Sequence, residues 1–117
     1  MSESTTCTVK LLKLHCYLST EEDLDEIFIK LNGQKVWPTN AKYQKAVQGE
    51  TMLDVSLESV PIGELLKLEV WDYDLLSSND HLGNFVLSID EGGAFRSDMH
   101  RTTEGSEARY SLEWEVS

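Results

Sequence analysis

The sequence contains no long apolar run, and none approaches the roughly 18 residues that a membrane-spanning helix needs. Its opening residues, MSESTTCTVK, hold no apolar core of the kind that a signal peptide requires. We therefore predict neither a transmembrane helix nor a cleaved leader. Residues 1–6 are polar, and we expect them to be frayed.

Cysteine is scarce as well, with only Cys7 and Cys16 present. Both fall in what the alternation predicts as the first strand, where about nine residues of extended chain span roughly 30 Å. That separation is far beyond disulfide reach, so we predict two free thiols. Free thiols are typical of a reducing compartment, which favours a cytoplasmic protein.

Basic residues are in short supply, because 10 lysines and arginines stand against 21 acidic residues and leave a net charge of −11. A field of this sign disfavours nucleic acid as a partner, and it disfavours unaided binding to anionic lipid. The same field favours the capture of cations.

The sequence also lacks the motifs of an enzyme. No glycine-rich turn joins a strand to a helix, as a phosphate cradle requires, and no motif places a nucleophile beside a base. The two cysteines and three histidines show no zinc-ligand spacing. An EF-hand loop begun at Asp72 would meet Leu76 where an acid is needed. We therefore predict a binding module and not an enzyme.

What the sequence does contain is a series of short runs in which apolar and polar residues alternate, separated by turn signals. Seven or eight such runs predict an all-β protein, an antiparallel sandwich or barrel. In the first run the alternation slips near Leu11, which predicts a β-bulge, and His15 is expected to face solvent. Asn32–Gly33 predicts a tight hairpin. Residues 90–107 lack strand periodicity, and we expect a helical turn from Phe95 to His100.

The stretch from Leu66 to Ile89 holds the best candidate for a functional site. Asp72 and Asp74 continue the alternation of a strand past its apolar part, which would point both carboxylates the same way. Asp80 follows, before an expected reversal of the chain near Gly83. Neighbouring carboxylates repel one another unless a cation lies between them, and oxygen ligands suit calcium better than zinc or copper. The alternative is that these aspartates are turn formers that hydrogen-bond their own backbone.

This stretch resembles the third loop of C2 domains, the calcium- and phospholipid-binding β-sandwiches first described in protein kinase C. The pattern of that family appears here as Asp72-Tyr73-Asp74, Asn79-Asp80 and Leu82-Gly83. The resemblance implies an antiparallel eight-stranded sandwich that covers nearly the whole chain, as a single domain over residues 7–117. It also implies that Asp72, Asp74 and Asp80 bind calcium, with the Tyr73 carbonyl as a further ligand.

The first loop carries a weaker form of the same resemblance. Asp25 stands where the family has a calcium-binding aspartate, but Glu26 replaces the usual proline. The family has an earlier aspartate about six residues before, where this chain has Ser19. An acid in the same loop would take that place, and the candidates are Glu21, Glu22 and Asp23.

Two adjacent leucines, Leu75 and Leu76, lie between the aspartates at the tip of the third loop. In the domains that this chain resembles, apolar residues at this tip enter the bilayer once calcium is bound. The resemblance thus implies calcium-dependent, peripheral docking of a cytoplasmic protein on anionic phospholipid membranes. The alternative is a calcium-stabilised or metal-free β-sandwich that contacts another protein or belongs to a larger assembly.

Overall fold

The computed structural model describes residues 5–18, 25–45, 49–90, 92–103 and 108–117, and the regular structure in these ranges is all β-strand. The strands are β1 (Thr6–Leu18), β2 (Glu26–Leu31), β3 (Gln34–Trp37), β4 (Gln44–Lys45), β5 (Gly49–Pro61), β6 (Leu65–Asp72), β7 (Asp80–Ser88), β8 (Gly93–Asp98), β9 (His100–Arg101) and β10 (Arg109–Val116). Among the described residues, eight strands have four or more residues, which confirms the expected number. The described ranges contain no helix able to cross a membrane.

Two antiparallel sheets enclose the core, which confirms the predicted sandwich. The first sheet has the strand order β5-β1-β10-β8, and the second has the order β3-β2-β6-β7-β9, with β4 paired to β2 beside β3. The largest fully buried side chain among those described is Phe85 of β7, which lies beside Leu68 of the central strand β6.

The predicted bulge in β1 is present. The pairing of β1 with both of its neighbours shifts between Leu11 and Lys13. Because one extra residue is inserted there, Val9 and Leu11 before the shift and Leu14 and Cys16 after it all point into the core. Cys7 and Cys16 are both free thiols, as predicted.

The predicted hairpin joins β2 to β3 at Asn32–Gly33. These residues have φ values of 53° and 80°, which a type I′ turn requires and which glycine and asparagine tolerate best. Leu31 pairs with Gln34 directly across the turn. This edge of the second sheet is therefore specified by local sequence.

Two expectations for the second half of the chain are wrong. The region from Phe95 to His100 is not a helical turn, because β8 pairs along β10 and the Phe95 ring stacks on Trp114 at 4.6 Å between centroids. The chain also does not reverse near Gly83, which lies inside β7. A Cβ at Gly83 would come within 2.6 Å of the His100 carbonyl oxygen, so this glycine permits the close approach of β9.

His15 was expected to face solvent, yet it is only 7% exposed. It lies on the outer face of the first sheet, where its Nε2 and the Glu113 carboxylate share a hydrogen bond and the Tyr17 ring stacks beside it. Side chains from the neighbouring strands therefore bury a residue that the alternation of β1 alone places outward.

Candidate metal centre

The candidate aspartates lie at the ends of three adjacent strands. Asp25 immediately precedes β2, Asp72 is the last residue of β6, and Asp80 is the first residue of β7. Across the sheet, Asp72 pairs with Ile27 on one side and with Asp80 on the other. Because of these pairings, Asp25, Asp72 and Asp80 lie at one end of the second sheet, which we call the acidic end.

Asp25 and Asp72 are both buried carboxylates, 0% and 3% exposed. The Tyr110 hydroxyl donates a hydrogen bond of 2.6 Å to Asp25 Oδ2, and the Glu26 backbone N–H donates one of 2.8 Å to Asp72 Oδ1. Buried ionisable groups need such partners, because loss of solvation penalises the charged form. These two bonds orient a pair of carboxylates at the acidic end.

Tyr110 contributes to this end from the opposite sheet. Burial raises the pKa of its hydroxyl far above the ordinary value, and the hydrogen bond to Asp25 raises it further. The hydroxyl is therefore protonated at every physiological pH, and it remains a donor to Asp25.

Asp74 behaves differently from Asp72, because β6 ends at Asp72 and Asp74 lies in the loop of residues 73–79. Its Oδ1 accepts hydrogen bonds from the backbone N–H groups of Leu76 and Ser77, at 2.9 and 3.3 Å. Its Oδ2 accepts one from the Ser77 hydroxyl at 2.7 Å. Asp74 is exposed beyond the end of β6, while Asp72 is buried. At Asp74 the turn-forming role is realised.

We expect the Asp74 carboxyl to titrate below the value of about 3.9 that is ordinary for aspartate. The Ser77 hydroxyl lowers its pKa most and the Leu76 N–H adds to this, because both donate to the ionised form. A depressed pKa means that the contribution of these bonds is complete above the unfolded pKa and is lost as the pH falls through the folded one. Carboxyl NMR titration in a chelator should show the lowered midpoint.

Ser77→Ala should move that midpoint upward, because it deletes the largest cause of the shift. Ser78→Ala in the same loop is the matched control and should leave it in place. An Asp74 midpoint unchanged by Ser77→Ala would contradict the proposed turn.

The other predicted ligands are Asp80, Tyr73, Glu21 and Asp23. Asp80 is exposed at the start of β7. The Tyr73 N–H donates to the Glu26 carbonyl at 2.7 Å, and its ring stacks on Tyr43 at 5.1 Å. Glu21 and Asp23 lie outside the described residues. Among the residues that the structure describes, no three carboxylate or imidazole groups at the acidic end have ligand atoms within 4.8 Å of one another.

The tip of the same loop carries the two leucines. Leu75 is 79% exposed and Leu76 is 93% exposed. The turn that Asp74 organises holds their backbone, since Leu76 itself donates to the Asp74 carboxylate. An ordered loop therefore presents adjacent apolar side chains to solvent directly beside the acidic end.

Tyr110 is a site residue that sequence reasoning missed. Its hydroxyl was the available signal, because a buried tyrosine usually needs a hydrogen-bond partner. The identity of that partner, 85 residues away in the chain, depends on the packing of the two sheets.

The two antiparallel sheets form a β-sandwich with the fold of solved C2 domains. The chain is similar to a C2 domain of plant extended synaptotagmin 1, with 19% identity, a TM-score of 0.61, and coverage of 99% of this chain and 95% of that one. It is also similar to a second solved C2 domain, with 15% identity, a TM-score of 0.60, and coverage of 95% of this chain and 98% of the other. The fold predicted from the resemblance is thereby confirmed. No family model and no curated protein matches the sequence.

Proposed function

We propose that this chain is a non-catalytic module that binds calcium at the acidic end and then docks on anionic phospholipid membranes. The observation that carries the proposal is the exposure of Leu75 and Leu76 on an ordered loop beside buried aspartates. The proposed setting is the cytoplasmic face of a membrane, with peripheral and reversible attachment.

The donor set at the acidic end suits a hard cation. Asp25 and Asp72 are buried carboxylates at one end of the same sheet, and both are held in orientation by hydrogen bonds. Asp74 and Asp80 belong to the loop and the strand that follow Asp72. Calcium takes six to eight oxygen ligands, so the Tyr73 carbonyl and an acid from the first loop, Glu21 or Asp23, would complete the set.

Electrostatics explains why docking should depend on calcium. The chain carries a net charge of −11, which repels an anionic surface in the absence of a cation. When bound, calcium neutralises the acidic end and supplies positive charge to lipid phosphates. Asp25, Asp72 and Asp80 would hold that charge next to the leucines.

The two leucines would supply the apolar part of the binding energy. Burying one such side chain contributes about 1.5–3 kcal/mol, so the pair contributes roughly 3–6 kcal/mol at most. That amount is enough for reversible attachment and far below what a membrane-spanning helix provides.

Co-sedimentation with phosphatidylserine vesicles tests the proposal. We expect the protein to pellet in millimolar calcium and to remain in the supernatant in chelator. Leu75→Ser/Leu76→Ser should abolish pelleting, because it removes the apolar contribution while leaving the aspartates unchanged. Ile62→Ser/Leu65→Ser is the matched control, since these exposed residues lie at the opposite end of β6.

If the wild-type protein stays in the supernatant with calcium present, the membrane role fails. The alternative is then a calcium-stabilised or metal-free module for contact with another protein. One observation favours it, because Ser77 and the Leu76 N–H already compensate the Asp74 charge without any metal. On that alternative, the leucine tip is the contact surface.

A further inference from the structure

A second group of metal-ligating side chains lies on the outer face of the first sheet, away from the acidic end. Three neighbouring strands contribute one residue each, namely Glu50 of β5, His15 of β1 and Glu113 of β10. His15 pairs directly with Glu50 on one side and with Ser111 on the other. Glu113 lies two residues beyond Ser111 and so shares its face.

The three side chains lie close together, with Glu113 at Nε2 of the imidazole and Glu50 beside Nδ1. His15 Nε2 and Glu113 Oε2 share a hydrogen bond, and His15 Nδ1 lies 3.9 Å from Glu50 Oε1. One ligand atom from each residue can be chosen so that all three atoms lie within 4.8 Å of one another. In the described part of the chain, no other three such residues come this close.

We propose that His15, Glu50 and Glu113 form a binding site for a divalent transition metal, with zinc as the natural probe. One imidazole nitrogen and two carboxylate oxygens are a ligand set that zinc accepts in tetrahedral geometry, with a fourth position for water. Ligand bonds of about 2.0–2.2 Å place the ligand atoms roughly 3.3 Å apart. Glu50, whose side chain is 54% exposed, has the freedom to close the remaining gap.

The chemistry of this site differs from that of the acidic end. Calcium prefers oxygen ligands throughout, whereas an imidazole nitrogen selects zinc, copper or nickel. A metal at His15 takes the place of the proton that the ring and Glu113 share, so metal uptake releases that proton to solvent. The inference therefore does not rest on the proposed calcium site.

The histidine is held in place before any metal arrives. Its ring is stacked on Tyr17, with centroids 6.3 Å apart and planes 9° from parallel. The Tyr17 hydroxyl in turn hydrogen-bonds the Ser111 hydroxyl at 3.1 Å, and Arg96 Nε donates to that same hydroxyl at 3.2 Å. A metal site gains affinity when its ligands lie on rigid strands and are oriented by such neighbours.

Lys13 competes with a bound metal for the Glu50 carboxylate. Its Nζ lies 3.4 Å from Glu50 Oε2 and occupies the carboxylate that the metal would need. Removing the Lys13 ammonium group should strengthen metal binding, whereas removing a ligand side chain should weaken it. These opposite changes in metal affinity distinguish a metal site from a cluster that serves only as a network of ion pairs.

Zinc titration by calorimetry, in saturating calcium so that the acidic end is occupied, tests the inference. We expect one zinc per chain, with affinity lowered at least tenfold by His15→Gln or Glu113→Gln and raised by Lys13→Met. His100→Gln, an exposed histidine on β9, should change nothing. Asp72→Asn should also change nothing, which distinguishes this site from the proposed calcium site.

Glu50→Gln guards against misfolding, because Glu50 is exposed and its substitution spares the packing around His15. It should weaken zinc binding while leaving the metal-free melting temperature within about 2 °C of the wild type. Copper in place of zinc should give an electron paramagnetic resonance signal with coupling to one imidazole nitrogen, lost in His15→Gln. Zinc bound equally by His15→Gln and wild type, or no zinc bound by the wild type, would overturn the proposal.

Discussion

Saturating calcium should raise the melting temperature of this protein by about 10 °C. A ligand that binds only the folded state stabilises it by about 2.7 kcal/mol at a hundredfold excess over Kd. For a chain of this size, each kcal/mol corresponds to roughly 3–6 °C. The physical source is Asp25 and Asp72, two buried carboxylates at one end of a sheet that a cation would neutralise. Magnesium should give a much smaller shift, because it dehydrates reluctantly.

Asp72→Asn/Asp74→Asn should remove the calcium-induced shift. Asp90→Asn is the matched control, because Asp90 follows β7 at the end opposite to Asp80. Asp74→Asn alone also tests the turn, since the Asp74 carboxylate accepts hydrogen bonds from the Ser77 N–H and the Ser77 hydroxyl. No shift at millimolar calcium in the wild type would favour the metal-free protein-contact module.

The parts of the fold that sequence predicts are those in which local pattern and tertiary structure agree. The slip at Leu11, the Asn32–Gly33 turn and the alternation of β6 all report on the immediate backbone, and all three are present. The strand β8 was missed because it is an edge strand. Most of its residues are exposed, so burial leaves no alternation in the sequence, and only pairing with β10 defines it.

The candidate site is also predictable from the sequence only in part. The aspartates Asp72, Asp74 and Asp80 can be found from the sequence, because they stand in a short motif after a strand. Whether each is buried or turned back into its loop depends on where β6 ends, which the alternation does not indicate. His15 shows the same limit most clearly, since its hydrogen-bond partner on the outer face is Glu113, a residue 98 positions away.

Tyr110→Phe should destabilise the metal-free protein by about 1–3 kcal/mol, which is the usual cost of removing a hydrogen-bond donor from a buried polar group. The hydroxyl donates to Asp25 Oδ2 at 2.6 Å, and Asp25 has no solvent exposure. Phenylalanine fills the same volume, so the loss should come from the missing bond and not from packing. Urea unfolding in a chelator measures it.

The effect of calcium on the stability of Tyr110→Phe tests whether Asp25 takes part in binding the cation. If a cation binds at the acidic end, it compensates the Asp25 charge in place of the lost hydroxyl, and calcium should stabilise Tyr110→Phe more than it stabilises the wild type. Tyr17→Phe, which removes a hydroxyl bound to Ser111 on the outer face, is the matched control and should not show this effect. Equal stabilisation of Tyr110→Phe and wild type by calcium would mean that Asp25 does not take part in binding the cation.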